Sequence, residues 1–343
     1  MTLLGARFPR LASLPHVPLV QETPVERLSQ ASAETGADLW VKRDDLSADL
    51  YGGNKVRKLE RLIGDARRQD CDVLVTTGAY GSHHSLATAL FGRKWGFDVH
   101  LLLVPQPITH HVEENLRADL AVGAEVHQVA RPALLPAQLA THIAGLKLRG
   151  RRPYRIPHGG SSPLGAVGYV EAGLELAGQI DRGEMPEPTA IHVALGSGGT
   201  AAGLAVGLAA AGLYVPIVAT RVTPRAVCNQ WIVTHLVKRI VDLLREVDHT
   251  FPDVARGAIK AIQIDSSLYG RGYGVESADG NEAIRRAAED GLVLDPTYTG
   301  KAFAGFLRDA RESGGTRLYW HTLSGADLSG ILREAPPLPH WAR

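Results

Sequence analysis

A lysine on a glycine-bearing turn is the first residue whose setting could support chemistry. Lys55 lies in the stretch of residues 52–60, two residues after the glycine pair at 52–53. Glycine lets the backbone approach a ligand closely. A lysine that is desolvated, or that lies beside cations such as Arg57 and Lys58, loses its proton more easily and becomes an amine that can form an imine with a carbonyl group. A solvated basic turn at the start of a helix is the alternative that this stretch alone leaves open.

A second candidate is the loop of residues 196–200, which reads Gly-Ser-Gly-Gly-Thr. It joins an apolar strand pattern to a helical pattern, so its backbone N–H groups and hydroxyls would meet a phosphate at the positive end of a helix. A purely structural glycine turn is one alternative. The same residues also fit a loose dinucleotide fingerprint, Gly196-x-Gly198-x-x-Ala201, in which Arg221 would bind a 2′-phosphate. An NADP-dependent oxidoreductase therefore stays open.

Alternating strand and helix patterns surround both candidates. Strands are expected near residues 39–42, 72–77, 99–104, 125–129, 154–157, 190–195 and 215–221. Helices are expected near residues 24–35, 59–68, 86–95, 112–122, 134–148, 162–177, 201–211 and 227–247, with a last helix–strand alternation over 281–319. Apolar strands that alternate with helices predict an α/β protein with mostly parallel sheets flanked by helices.

A lysine together with a phosphate-binding loop suggests pyridoxal phosphate, which is held by its phosphate and joined to the protein as an imine. Four motifs in order along the chain support this: residues 52–60, 159–169, 196–200 and 295–301. In these motifs the chain resembles the pyridoxal phosphate enzymes of the 1-aminocyclopropane-1-carboxylate deaminase and D-cysteine desulfhydrase family. That family has the fold of the tryptophan synthase β-subunit, fold type II. The resemblance runs from about Phe8 to about Leu332.

The resemblance assigns roles to particular residues. It implies that Lys55 forms the imine and moves protons at Cα, that Ser82 touches the substrate carboxylate or assists proton transfer, and that Tyr298 and Tyr273 are active-site tyrosines. For Tyr273 a buried packing role is the alternative. The cofactor-binding residues expected from the motifs are Asn54, Lys55, His83, Gly196, Ser197, Gly198, Gly199, Thr200 and Thr322. Thr322 matches a hydroxyl near the pyridine nitrogen.

Three positions depart from the family's pattern. His83 stands where an asparagine usually hydrogen-bonds the ring oxygen of the cofactor; it could donate that bond as a neutral imidazole or act as an acid/base. Thr299 replaces the glutamate that the deaminase branch carries after the tyrosine, which counts against the deaminase. Leu323 stands where desulfhydrases carry glycine, which makes the wall near the substrate bulkier. A specialised substrate is compatible with these changes.

Composition narrows the class of function. Of the 343 residues, 45% are hydrophobic and 21% are charged, and the net charge is +1. This charge does not indicate binding to nucleic acid or to an acidic membrane. Cys71 and Cys228 are too few for a disulfide scaffold and fit a reducing cytoplasm. No metal site is expected, because the adjacent pairs at 83–84 and 110–111 place histidines where they rarely converge on one ion.

These observations predict two domains, with residues 1–57 and 169–343 forming a large cofactor-binding domain and residues 58–168 a smaller α/β domain. The expected activity is a pyridoxal phosphate-dependent lyase that acts on a small amino acid, in the manner of D-cysteine desulfhydrase, giving a 2-oxo acid, ammonia and the leaving group. Deaminase-like or β-replacement chemistry on an unusual amino acid and a non-catalytic cofactor carrier stay open. The resemblance also suggests a homodimer.

Overall fold

The computed structural model describes residues 2–342 and contains two open sheets flanked by helices. The strands in chain order are β1 Val25–Arg27, β2 Asp38–Lys42, β3 Val73–Ala79, β4 Asp98–Val104, β5 Glu125–Gln128, β6 Pro153–Arg155, β7 Ala190–Leu195, β8 Ile217–Arg221, β9 Ile262–Asp265 and β10 Thr316–Trp320. The helices are α1 Leu3–Arg7, α2 Ser29–Thr35, α3 Asn54–Arg68, α4 His83–Lys94, α5 His110–Ala121, α6 Leu135–Leu148, α7 Pro163–Asp181, α8 Gly199–Ala211, α9 Gln230–Val247, α10 Ala255–Ala261, α11 Ala278–Glu289, α12 Thr299–Ser313 and α13 Ser329–Arg333.

The two sheets differ in size and are almost wholly parallel. The larger sheet has six strands in the order β1-β2-β10-β7-β8-β9, and the smaller has four in the order β5-β4-β3-β6. Within these sheets β1 pairs with β2 in the antiparallel sense, and the other neighbours run parallel. Separate apolar clusters fill the space between the sheets and their helices. The expected fold, mostly parallel sheets covered by helices, is confirmed.

The N-terminal part of the chain differs from the expected pattern. Residues 24–35 were expected to form one helix, but Val25–Arg27 is a strand and the helix occupies only Ser29–Thr35. Val25 pairs with Lys42 and Arg27 with Trp40, so the hydrogen bonds of an existing sheet edge outweigh the local helical spacing. The elements α10 and β9 were not expected, since short elements give a weak periodic signal.

The strands of the smaller sheet all lie between residues 73 and 155, inside the segment expected to form the small domain. The boundaries of that domain, 58–168, stay a prediction. Among residues 2–342 no helix combines the length and apolar character that a membrane crossing requires.

Close packing between α3 and α7 fixes the orientation of the lysine-bearing helix. A Cβ atom on Gly168 would lie 1.9 Å from the carbonyl oxygen of Arg57, so only glycine allows this approach. The Arg57 guanidinium lies against this face and donates to Asp44 Oδ1 at 2.8 Å and to Glu175 Oε2 at 2.9 Å. One turn later, Arg61 donates to Glu171 at 2.7 Å. These buried ion pairs define the face that α3 turns toward α7.

Candidate active site

Three segments meet where neighbouring parallel strands end. In the larger sheet β2, β10 and β7 lie side by side, and they are followed by the segment that leads to α3, by residues 321–322 and by residues 196–200. The backbone N–H of Asn54 donates to the carbonyl oxygen of Thr322 at 3.1 Å. The Asn54 side chain donates to Thr200 Oγ1 at 3.1 Å. Ligands bind at such carboxyl edges in open α/β sheets, so this is the candidate active site.

Lys55 lies in the first turn of α3, and its amine donates to Asn54 Oδ1 at 2.6 Å. Burial lowers the pKa of Lys55 from 10.5 to about 8, and the charge of Asp295 partly opposes that shift. The sequence suggested Arg57 and Lys58 as further causes. The charge of Arg57 is instead committed to Asp44 and Glu175. Desolvation is therefore the main cause of the lowered pKa of Lys55.

The fourth motif contains another lysine that could form an imine, Lys301, and its amine contacts a different segment. Lys301 is buried, and its Nζ donates to the carbonyl oxygen of Tyr269 at 3.1 Å. Its amine is thus held by a different segment from the one that holds Lys55. Burial also lowers the pKa of Lys301, so the two amines differ in position: Lys55 contacts Asn54 beside the glycine loop, whereas Lys301 contacts residue 269.

The glycine loop faces a buried cation. Lys58 is 2% exposed, and its amine donates to the Gly159 carbonyl oxygen at 3.1 Å and to Ser161 Oγ at 3.3 Å. Ser161 Oγ also accepts from the backbone N–H of Gly199 at 3.2 Å and lies 2.7 Å from Ser197 Oγ. A Cβ atom on Gly199 would lie 2.5 Å from Ser161 Oγ and 3.2 Å from the Lys58 amine. Glycine therefore keeps a small polar cradle open.

This cradle is suited to an anion. Burial, followed by the charge of Lys55, moves the pKa of Lys58 well below 10.5. Among residues 2–342 no carboxylate forms an ion pair with Lys58. A phosphate bound between Lys58 and the start of α8 would supply that missing negative charge and would accept from the backbone N–H groups of the loop. Sequence reasoning identified the loop but treated Lys58 only as a cation beside Lys55 and gave no role to Ser161, although both lie in the motifs that it singled out.

His83 lies next to a tyrosine that sequence reasoning missed. Its Nδ1 is 2.6 Å from the hydroxyl of Tyr51, and its buried Nε2 has no partner among residues 2–342. Burial lowers the pKa of His83 to about 3, assisted by the neighbouring His111, so the ring is neutral. Burial also raises the pKa of Tyr51, which keeps the phenol protonated.

The contact with Tyr51 fixes where the imidazole proton resides. We assign the phenol as the donor and Nδ1 of His83 as the acceptor, because within the described chain the phenol proton has no other acceptor. The single proton of a neutral imidazole is then on Nε2, which becomes an unused buried donor. The geometry supports the neutral-donor interpretation of His83 over an acid/base role. Tyr51 directly precedes the two glycines of the lysine motif, and that position is the only signal in the sequence.

The two expected tyrosines lie together. Their hydroxyl oxygens, on Tyr273 and Tyr298, are 2.8 Å apart, and Tyr273 is 41% exposed, unlike a buried packing tyrosine. Asp295 holds this segment, because its carboxylate accepts from the backbone N–H of Tyr298 at 2.7 Å and from the hydroxyl of Thr299 at 2.6 Å. A Cβ atom on Gly196 would lie 3.3 Å from the Tyr298 ring. The tyrosine pair therefore borders the glycine loop.

Ser82 is less directly connected to the other candidates. It precedes α4, and its Oγ accepts from the backbone N–H of Ser85 at 3.2 Å, which caps the helix. The structure thus joins Asn54, Lys55, Thr200 and the Thr322 backbone by contact, whereas Ser82 is placed beside His83 by chain continuity. Its role toward a substrate stays a prediction.

Comparison with known proteins identifies the cofactor that this arrangement serves. The profile of the family described as pyridoxal-phosphate dependent enzymes matches residues 17–322. The chain belongs to the family of pyridoxal-phosphate dependent enzymes. Lys58, which forms no ion pair within residues 2–342, and the cradle at Gly199 fit the phosphate of that cofactor, and the Nε2 atom of His83 fits its ring oxygen.

Individual relatives agree with the family. A Pyrococcus horikoshii protein provisionally named 1-aminocyclopropane-1-carboxylate deaminase is 36% identical over 328 residues, which cover 93% of each chain. A Salmonella schwarzengrund protein named D-cysteine desulfhydrase is 37% identical over 308 residues, which cover 88% of each chain. A solved structure described as an ACC deaminase homologue superposes with a TM-score of 0.79 at 34% identity and covers 96% of this chain and 98% of its own.

The expected family, cofactor and enzyme class, a pyridoxal phosphate-dependent lyase, are confirmed by these matches. The NADP alternative is not supported. Arg221, which that alternative assigned to a 2′-phosphate, donates to the carbonyl oxygen of Thr223 at 2.8 Å and to Ser266 Oγ at 3.0 Å. Its guanidinium also stacks on Tyr269.

Proposed function

We propose that this chain is a D-cysteine desulfhydrase-like lyase that eliminates the β-substituent of a small amino acid. The products are the leaving group, a 2-oxo acid and ammonia, with one water consumed; for D-cysteine the leaving group is sulfide. The observation that carries this proposal is the buried amine of Lys55, held at the start of α3 beside the anion cradle of Lys58 and Gly199.

The residues of the site would divide the work as follows. Pyridoxal phosphate, when bound, supplies an electron sink for the charge left at Cα of an amino acid. Lys55 would hold the cofactor and then accept the Cα proton, which a lowered pKa near 8 permits. Lys58 and residues 196–200 would hold the phosphate, and His83 Nε2 would donate to the ring oxygen. Ser82 and the Tyr273–Tyr298 pair would orient the substrate carboxylate or assist departure of the leaving group.

The residue after Tyr298 favours elimination over the deaminase reaction. Thr299 is 1% exposed, and its hydroxyl is committed to Asp295, so that position supplies no free acid. The deaminase branch, as the resemblance implies, uses a glutamate there. The carboxylate of Asp295 is itself occupied by the N–H groups of residues 297–299. A β-replacement reaction on an unusual amino acid is the second candidate, because Leu323 makes the wall near the substrate bulkier than glycine would.

The test is turnover by the protein loaded with pyridoxal phosphate. Sulfide and 2-oxo acid are measured with D-cysteine, L-cysteine and 1-aminocyclopropane-1-carboxylate as separate substrates. We expect sulfide and 2-oxo acid in equal amounts from D-cysteine. A cofactor band in the visible spectrum without turnover of any of the three compounds would refute the substrate, and would direct the search to β-replacement substrates or to a non-catalytic carrier.

A pair of matched variants tests the assigned amine. Lys55→Met and Lys301→Met each remove one amine and keep an unbranched apolar stem. We expect the first to abolish turnover and the visible band of covalently attached cofactor, and the second to retain both. Full turnover by Lys55→Met would exclude the assigned role.

The assembly and location are part of the same proposal. We propose a homodimer in the cytoplasm, supported by the family resemblance and by Cys71 and Cys228, which are both free thiols in the structure. Light scattering coupled to size-exclusion chromatography tests the dimer against the 36.8 kDa mass of one chain.

A further inference from the structure

Three histidines from separate elements converge in the smaller sheet. His100 lies in β4 and His127 in β5, and α6, which packs on β4, contributes His142. The parallel register pairs His100 with Glu125 and Leu102 with His127. Since side chains two residues apart share a face of a strand, His100, Glu125 and His127 all face α6. This group, His100, His127 and His142, is called the histidine triad below.

The triad has the spacing of metal ligands. His100 Nδ1 lies 3.0 Å from His142 Nε2 and 3.2 Å from His127 Nε2, and the nitrogens all lie within 4.8 Å of one another. Zn²⁺ binds imidazole nitrogen at about 2.0–2.1 Å, so two ligands of a tetrahedral ion are about 3.3 Å apart. The two measured separations lie close to that value. Little movement is needed to place one ion between these nitrogens.

Hydrogen bonding alone uses these nitrogens poorly. A neutral imidazole carries one N–H and one lone pair, and His100 Nδ1 faces two other ring nitrogens with only one proton or one lone pair to offer. In the absence of metal, His127 Nε2 can donate to Glu125 Oε1, 3.1 Å away. A bound ion would instead accept the lone pairs of all three rings at once.

The surroundings favour a cation at the triad. The other nitrogen of His100, Nε2, lies 3.5 Å from Glu125 Oε2. A carboxylate in this place is typical of metal-binding histidines, because it orients the ring and increases its basicity. Burial lowers the pKa of His100, of His127 and of His142, which favours the neutral form of the ring that metal binding requires.

Nearby arginines oppose a cation in part. Arg149 is close enough to lower the pKa of His127 and His142, and Arg151 has the same effect on His100. Arg151 is paired with Asp72 at 2.8 Å and with Asp98 at 2.5 Å, which leaves Arg149 as the main repulsive neighbour. The triad borders a surface depression of about 460 Å³ that His100, Glu125 and Arg149 help to line, so an ion can enter from solvent.

We propose that His100, His127 and His142 bind one divalent transition-metal ion, with Zn²⁺ as the best fit, and that water occupies the fourth position. Imidazole ligands suit Zn²⁺, Cu²⁺ and Ni²⁺, and the separations of 3.0 and 3.2 Å are compatible with the tetrahedral geometry that Zn²⁺ prefers. The ion would join β4, β5 and α6. The site lies outside the residues that hold pyridoxal phosphate, so the proposal does not depend on the proposed function. No sequence motif predicted this metal site, since the three histidines are far apart along the chain.

The experiment is a titration with ZnCl₂ of protein that has been treated with chelator and loaded with pyridoxal phosphate. Isothermal titration calorimetry measures the binding. The variants His142→Gln and His127→Gln each remove one ligand, and His110→Gln, whose side chain is 88% exposed, is the matched control. We expect one equivalent of zinc to bind the natural protein and the control, and the affinity to fall more than about 100-fold in either ligand variant, since changes in outer partners alone cost 10–100-fold. X-ray absorption at the zinc edge should report three imidazole ligands.

Further measurements distinguish loss of the metal site from a folding defect in the variants. Zinc should raise the melting temperature of the natural protein and the control but not of the ligand variants. Circular dichroism confirms that each variant is folded, and two ligand variants on different elements ensure that at least one comparison survives a folding defect. Glu125→Gln should weaken binding about 10–100-fold. Equal zinc affinity in the natural protein and in both ligand variants, or no bound equivalent in the natural protein, would overturn the proposal.

Discussion

The contact between Tyr51 and His83 makes a prediction about a single proton. With the phenol assigned as the donor to Nδ1, the imidazole proton is expected on Nε2, the atom assigned to the ring oxygen of the cofactor. Tyr51→Phe removes the phenol oxygen and leaves Nδ1 as a buried acceptor without a partner. Loss of such a partner lowers the free energy of unfolding by about 1–3 kcal/mol. The variant should therefore be folded but less stable.

The effect on cofactor affinity follows from the tautomers of His83. If Tyr51→Phe makes both tautomers equally populated, half of the molecules present a donor and the affinity falls about twofold. If the Nδ1–H form dominates, the loss approaches the value of a hydrogen bond to a charged acceptor, about 1.5–3 kcal/mol or roughly 10–100-fold. Nitrogen chemical shifts in the apo protein measure the tautomer of His83, and a fluorescence titration with pyridoxal phosphate measures the affinity.

A double-mutant cycle separates this mechanism from general damage. His83→Asn supplies an amide donor whose protons do not depend on Tyr51. In that background, Tyr51→Phe should leave the cofactor affinity almost unchanged, although stability still falls. An equal loss of affinity in both backgrounds, or an Nδ1–H tautomer in the natural protein, would refute the reasoning.

Three further predictions concern charges at the start of α3. The visible band of attached pyridoxal phosphate should form faster as pH rises through about 8, because the pKa of Lys55 is lowered to that value and only the neutral amine attacks; dependence centred above pH 10 would contradict this. Lys58→Met should weaken pyridoxal phosphate binding roughly 10–100-fold in equilibrium dialysis and leave pyridoxal, which lacks the phosphate, unaffected. Asp44→Asn should lower the free energy of unfolding by about 3 kcal/mol in urea titrations, because Arg57 loses a charged partner at 2.8 Å inside the core, whereas Asp49→Asn on the surface should not.

The fold could be predicted from sequence where the periodic signal was long. Strands buried on both faces and the helices between them gave clear alternation, and their order matches the two sheets. The exception at Val25–Arg27 shows the limit of that signal, because the strand exists only through its pairing with β2. Pairing across a sheet edge is a tertiary interaction, and spacing within one segment carries no information about it.

The site could be predicted only in part, for a related reason. The motifs indicated Lys55 and the glycine loop, since both can be recognised from residue type and from the glycines of the local turn. Tyr51 and the histidine triad depend on contacts between residues distant in sequence. The triad joins positions 100, 127 and 142, and none of these lies in a recognisable ligand motif. The expectation that metals are absent was drawn from the adjacent histidine pairs at 83–84 and 110–111, which are different residues from the histidine triad.

The distribution of basic residues along α3 explains why the helix needs both lysine and arginine. Arg57 and Arg61 are one turn apart and face Glu175 and Glu171, which are one turn apart on α7. A lysine in place of Arg57 would lack the planar guanidinium group that bonds two carboxylates at once.

Lys55 and Lys58 share the other face of the helix, where their pKa values are lowered by burial and no carboxylate is paired with either among the described residues. An arginine cannot shed its proton in a protein, so it could neither form an imine nor carry a proton from Cα. The permanent charges are thus placed where partners neutralise them, and they fix the rotation of α3. The adjustable charges are left for the cofactor, so exchanging Arg57 with Lys58 should weaken pyridoxal phosphate binding in equilibrium dialysis and lower the free energy of unfolding in urea titrations.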